Sequence, residues 1–371
     1  MKYFSKKLLI FLLPVFIVLF PPLFILIKSG ETSSAASLLT KQYLKSNSLA
    51  GLAYSYPIKP YKLDAVKMIK PRVLVLGSSR VMQIRQYFFR GGYTFYNAGG
   101  FAGNINELDC FLNDLPAGYN PRILITGLDQ YWFNAGLSNV TSVDDCKVAN
   151  DSIALFSLFK FNFTGIYRDI YHGKIKLAKL FNNNNVGLSG MMNNEGFRQD
   201  GSYRYGKLLT DPETDVDYGF KDTYKRIKSG TSRFEYGTEV SEQALQALDV
   251  FLEDCYQRNI HVVAYLPPYP HIIIDTMMNM GNKYAYIKKL QAALKPLFDK
   301  YKFTLGDYTD VATTGAGPGE YLDGFHASEK AMLRVMIDLN RKDSVLRQFC
   351  DTTQMNVLLK NAKSDRDILN D

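Results

Sequence analysis

The chain is short of the residues that build metal and redox centres. Only four cysteines and four histidines are spread over 371 residues, and there is no C-x-x-C pair. A tetrahedral thiolate or imidazole site needs closely paired ligands, so no metal ligand set is expected. Cys110, Cys146, Cys255 and Cys350 lie far apart and allow three pairings in an exported domain. Cys110 and Cys255 also fall on the apolar faces of predicted helices, where buried free thiols are equally expected. Blocks of Lys/Arg interleaved with aromatics are missing, as are zinc-finger and RNP spacings, so nucleic acid is not expected as a partner. The order G-x-G-x-x-G is missing too. Gly99-Gly100-Phe101-Ala102-Gly103 therefore reads as a turn, not a dinucleotide loop, and no cofactor is expected.

Acidic residues are outnumbered, 36 against 44 Lys and Arg, which leaves a formal charge of +8. A scattered, solvated lysine surplus explains that first, with anionic surroundings such as lipid headgroups or acidic polysaccharide next. Charge is absent altogether from residues 8–27, a run that at about 1.5 Å per residue spans a hydrocarbon core. Lys2, Lys6 and Lys7 precede it, whereas Lys28 and Glu31 nearly cancel after it. This bias predicts a single pass through the lipid bilayer, with the N-terminus inside and everything beyond residue 28 periplasmic or extracellular. A cleaved signal peptide is the alternative, with SSAAS as a cutting site. Its apolar core usually runs only about 7–15 residues, so length favours a retained anchor. Pro14, Pro21 and Pro22 distort such a helix without excluding a span.

With 46% hydrophobic residues the remainder is expected to fold around a large core. Residues 1–29 read as cytoplasmic tip and anchor, 30–70 as a polar stalk, 71–345 as the main domain, and 346–371 as a polar, frayed tail. Residues 73–77 (VLVLG) form a continuous apolar run, the mark of a parallel strand buried on both faces. A helix is expected at 81–88, a second strand at 94–97, and a helix capped by Asn104 with Leu108, Phe111, Leu112 and Leu115 inward. Residues 122–127 are a third strand. After a large insertion, 135–235, an amphipathic helix covers 241–256, a strand 261–266, a helix kinked at Pro296, a fifth strand 303–307 and a helix 329–339. The alternation predicts an α/β fold, a three-layer α/β/α sandwich around a five-stranded, mostly parallel sheet. Functional loops are then expected at the strand carboxyl ends. The insertion reads either as a lid or as a loop region without a chemical role.

Gly77-Ser78-Ser79-Arg80 is a glycine turn between a buried strand and a helix. It suits either a nucleophilic serine or an ordinary helix cap. Asp323-Gly324-Phe325-His326 follows the fifth strand. An Asp three residues before a His can accept the Nδ1 proton and leave Nε2 free to take a proton from a hydroxyl. Among the four histidines only His326 has a carboxylate at this spacing and a helix following.

Together these segments resemble the SGNH (GDSL-like) hydrolase superfamily over about residues 71–134 and 241–340. The nucleophile of its first block falls on Ser79, with Ser78 where Asp is usual. Asn97-Ala98-Gly99 matches N-x-G, Gly127-Leu128-Asp129-Gln130 aligns with G-x-N-D, and Asp323 and His326 match D-x-x-H. The resemblance implies a flavodoxin-like SGNH fold, a Ser79–His326–Asp323 triad, and an oxyanion hole from the amides of Ser79 and Gly99. The third-block asparagine is replaced by Asp129, whose charge repels an oxyanion, and losing one such donor costs about 3 kcal/mol. Gln130 donates instead, or Asp129 is protonated, or backbone amides suffice, or the site is inert. Residues 129–133 (DQYWF) also look like membrane-anchored acyl-transfer members of the superfamily, including those serving teichoic-acid D-alanylation. That likeness implies a cell-surface polysaccharide or envelope polymer as substrate and a possible membrane acyl-transfer partner. Arg80 reads either as a holder of anionic substrate or as a salt-bridged residue at the start of the helix, and Trp132 as a substrate contact. Asp200–Tyr205 reads as a glycan contact or a plain surface turn. The sequons at Asn139, Asn150 and Asn162 matter only in a eukaryotic secretory setting.

Overall fold

The computed structural model describes residues 2–55, 57–137 and 155–369. Cys146 and the sequons at Asn139 and Asn150 lie outside them. Two compact units emerge. One holds the described residues of Met1–Tyr61, Ala149–Gln199 and Arg204–Gly206, and the other those of Lys62–Val148, Asp200–Tyr203 and Lys207–Asp371.

The second unit is built on five strands, β1 (Val73–Gly77), β2 (Phe95–Gly99), β3 (Ile123–Gly127), β4 (His261–Leu266) and β5 (Thr304–Asp307). All pairings are parallel and the order is β2-β1-β3-β4-β5. Such a doubly wound order switches direction at β1 and β3, which opens a crevice at their carboxyl ends. The inner strands β1, β3 and β4 are buried on both sides along almost their whole length, which is why they read as nearly unbroken apolar runs, whereas the edge strand β5 is only partly buried. Val73, Val75, Ile123, Ile125, Val263 and Tyr265 pack in one cluster with the helix Glu329–Lys342. The alternate residues Leu74, Leu76, Leu124, Val262, Ala264 and Leu266 are equally buried. Helices Asn106–Asn113, Glu242–Gln257 and Ala285–Tyr301 contact one another in turn, the last running on through Pro296 as a single helix.

One expected helix does not form. Residues 81–88 instead hold two 3₁₀ turns, Ser79–Val81 and Gln86–Phe88. The physical cause is Asn97, whose buried amide donates to the carbonyls of Val81 and Ile84, groups that a continuing helix would use itself. The first turn sits directly on the strand ends. Val81 rests among Gly77, Gly99 and Gly127, the last residues of β1, β2 and β3. A Cβ there would meet a Val81 methyl at 2.9, 2.7 and 2.6 Å respectively.

The C-terminal tail is folded rather than frayed. Helix Thr352–Asn361 packs on Glu329–Lys342 with Met355 buried, and Ile368 is buried beyond it. Polar composition hid these two apolar anchors. Cys110 is disulfide-bonded, while Cys255 and Cys350 are free and buried.

In the first unit, the N-terminal helix Lys2–Ser29 is long and apolar enough over Phe4–Ser29 to cross a membrane. Residues 30–61, expected as a stalk, carry helix Ala35–Tyr43 with Leu38, Leu39 and Gln42 buried. Gln42 donates to the carbonyls of Ser48 and Phe197 and accepts from the Tyr61 hydroxyl. Partners this distant in the chain leave no local periodicity to read.

The Val81 contact yields a stability prediction. Gly127→Ala should destabilise the protein by roughly 1–3 kcal/mol, as overpacking does. In a urea double-mutant cycle the loss should be smaller in the Val81→Ala background, and strict additivity would contradict the packing described.

Candidate active site at the strand carboxyl ends

Ser79 opens the turn after β1 and is half-buried. Gly77 at φ 153° lets the chain leave the strand, and Ser78 caps the turn by accepting from the Arg80 amide. His326 arrives from the loop before helix Glu329–Lys342. Its Nε2 lies 2.8 Å from Ser79 Oγ and its Nδ1 2.7 Å from Asp323 Oδ2. The other Asp323 oxygen accepts from the amides of Phe325 and His326 at 2.7 and 2.6 Å.

These bonds determine the proton positions. Burial raises the Asp323 pKa, but the His326 charge and its hydrogen bond, with both amides, outweigh that and hold it at about 2. An ionised carboxylate only accepts, so Nδ1 carries a proton whenever the bond to Asp323 is made. In the neutral ring, Nε2 is then left to accept from the Ser79 hydroxyl. The three groups thus form a relay able to activate the serine.

The residues around the relay play different parts from those expected. The Gly99 amide, expected at the oxyanion, donates to Asn97 Oδ1 at 2.8 Å. Gln130 Nε2, a second expected donor, is committed to the Pro267 carbonyl at 2.7 Å and the Thr309 hydroxyl at 3.1 Å. Asp129 is fully buried, with Oδ1 3.3 Å from Arg80 Nη1. The Ser79 amide is the first of its turn and has no carbonyl partner within it. Trp132 is buried in the 3₁₀ turn Gln130–Phe133 and presents no open face to a substrate. Asp200 accepts from the amide of Gln86 and pairs with Arg85, so the 200–203 turn serves the domain's interior.

Arg80 is likewise interior, only 3% exposed, and not a substrate contact. Its guanidinium donates to the carbonyls of Phe325, Pro267 and Pro268, and to Asp129 and Gln130. It lies 4.2 Å from the Tyr269 ring centre and 4.4 Å from that of Phe325. Burial opposes its charge, but the oxygens of Tyr269 and Asp129 outweigh that and keep it protonated.

Asp217, inside the insertion, escaped the sequence reading. Its carboxylate accepts from the Gly324 amide at 2.8 Å and from the amide and hydroxyl of Thr223, both at 2.7 Å. A Cβ on Gly324 would collide with Thr223, so this part of the insertion clamps the loop that carries Asp323 and His326. No local pattern marks Asp217. No protein-family model, curated protein or solved structure matches the chain.

Two predictions follow from these contacts. Arg80→Met should cost about 3–5 kcal/mol by leaving Asp129 buried without its cation, and Asp129→Asn in the same chain should return part of it. Denaturant midpoints of the single and double variants decide this. The depressed Asp323 pKa stabilises the fold above the ordinary value of 3.8, a contribution lost as pH falls towards 2. At about 1.4 kcal/mol per pH unit that is worth roughly 2 kcal/mol, so Asp323→Asn should flatten the stability-against-pH curve between about pH 4 and pH 2.

Proposed function

We propose that the protein is an SGNH-type serine esterase or O-acyltransferase held on the membrane by its N-terminal helix, with the second unit outside the cytoplasm. The observation that carries this reading is the relay of Ser79, His326 and Asp323 at 2.8 and 2.7 Å, assembled from segments 247 residues apart. The 2-1-3-4-5 strand order and the place of the relay at the switch-point edge support it.

In the proposed reaction His326 Nε2 takes the Ser79 proton as Ser79 Oγ attacks an ester carbonyl. The tetrahedral intermediate collapses, the ester C–O bond breaks, and His326 returns the proton to the departing alkoxide. The Ser79 acyl ester is then cleaved by water in an esterase, or by a sugar or polyol hydroxyl in an acyltransferase. The basic charge and outward domain favour a cell-surface polysaccharide or envelope polymer as acceptor or substrate, with a membrane acyl-transfer protein as donor partner. With the Gly99 and Gln130 donors committed elsewhere, oxyanion stabilisation falls mainly on the Ser79 amide. Each missing donor costs about 3 kcal/mol, so turnover should be slow on simple esters.

Those committed donors favour a second reading, a non-catalytic envelope protein that binds glycan or a partner in polymer modification or export. A fluorophosphonate probe separates the two. Wild-type protein should label at Ser79, and Ser79→Ala and His326→Ala should abolish labelling while keeping the wild-type circular dichroism. A folded wild type that stays unlabelled decides for the binding role.

A further inference from the structure

The helix Leu155–Tyr171 carries more exposed aromatic surface than a water-facing helix needs. Phe156 is 75% exposed and Phe161 78%, with Leu155 also exposed at its start. Phe159, Phe163 and Tyr167 form a contiguous row of tilted and edge-on rings along it, with centroids 5.3 Å apart at each step. Solvent-facing helices place polar residues at such positions.

Its neighbour tells what covers it. The helix packs on the N-terminal helix within the same unit, and the Tyr167 hydroxyl donates to the Val18 carbonyl. Val18 lies eleven residues before Ser29, about 16 Å back along the helix axis. Two residues on, Asp169 accepts from the Tyr54 hydroxyl, and Glu31 holds the Tyr54 amide just beyond the end of the N-terminal helix. Tyr167 is thereby tied to the apolar span, Leu158 and Ile166 share a buried cluster with Ile25 and Leu26 near its end, and Asp169 is linked through Tyr54 to Glu31 just beyond it.

Charge follows the same gradient. Arg168, Lys174 and Lys176 are exposed at the outer end, and Lys28 sits 5.2 Å from the Phe181 ring centre at that level. Cations and an aromatic ring at the end of an apolar span match an anionic headgroup layer. Lys160 and Thr164 interrupt the exposed apolar face, and the four-carbon stem of Lys160 suits snorkelling towards that layer.

We infer that the helix Leu155–Tyr171 is a second membrane-inserted element, packed against the N-terminal helix with Leu155, Phe156 and Phe161 in the acyl region and Arg168, Lys174 and Lys176 at anionic headgroups. The inference rests on the reading that the N-terminal helix spans the bilayer. It makes the first unit a membrane-seated base with two apolar contacts.

The test uses the full chain in vesicles of phosphatidylcholine and phosphatidylglycerol. Phe161→Cys, Phe11→Cys and Lys363→Cys are each labelled with an environment-sensitive fluorophore, with labelled natural protein as background. The Phe161 and Phe11 sites should show blue-shifted emission, loss of intensity with nitroxide-bearing lipid and protection from aqueous iodide, and the Lys363 site the reverse. A Phe161 site that behaves like Lys363 while Phe11 stays lipid-quenched overturns the inference and leaves the anchor intact. Iodide quenching at both phenylalanine positions removes the anchor reading itself.

Discussion

Arg80 binds three loops that leave the carboxyl ends of different strands. It reaches Asp129 and Gln130 after β3, Pro267 and Pro268 after β4, and Phe325 beyond β5, from a turn that follows β1. Because Arg80 is covalently next to Ser79, and Phe325 next to His326, this one guanidinium sets the distance between hydroxyl and imidazole. A planar fork with five donors can satisfy carbonyls from several directions at once, which a lysine ammonium cannot do with the same rigidity.

The same arrangement accounts for Asp129. A carboxylate in place of an oxyanion donor looks damaging when seen alone, since its charge opposes the one that develops on an attacked carbonyl. Here it faces the Arg80 guanidinium at 3.3 Å. The requirement for Asp129 is thus set by the cation beneath the serine turn. Asn97 shows a similar substitution of roles. Its side chain takes up the Gly99 amide and two turn carbonyls. From the other side Lys62, fully buried and with its ammonium pKa driven down by desolvation, donates to the Asn97 carbonyl.

How much could be read beforehand divides along a physical line. Five strands and their boundaries to within one or two residues are legible, the inner ones from apolar runs that burial on both faces imposes, and β2 and β5 from their places in the strand–helix alternation. Ser79, His326 and Asp323 were found because chain geometry ties each to a strand end or to a three-residue spacing. For Arg80 the salt-bridged alternative is the one that matches the structure, whereas the burial of Trp132 and the commitment of Gln130 are not legible, because they depend on loops distant in the chain. Asp217 was invisible for the same reason, its partners Thr223 and Gly324 being joined only by folding. The absent helix at 81–88 belongs here too: its apolar residues are spaced well enough, but Asn97 intercepts the carbonyls that would continue it.

Buried charge is a poor source of net stability, because desolvation consumes most of the attraction. The second unit nevertheless carries it at two places, with Arg80 on Asp129 and Arg85 between Glu329 and Asp200, while the buried Lys62 amine donates to backbone carbonyls. Each of these ties together segments that are distant in the chain. An apolar core of the same volume would hold the layers together as well, but it tolerates sliding and repacking. Hydrogen-bonded ions do not, because a displaced donor leaves an unpaired charge in a dry site. The proposed serine chemistry requires placement within about 0.5 Å, which that intolerance would supply. The distribution of buried ions is therefore better explained by positional demand at the serine–histidine contact than by the stability of the fold.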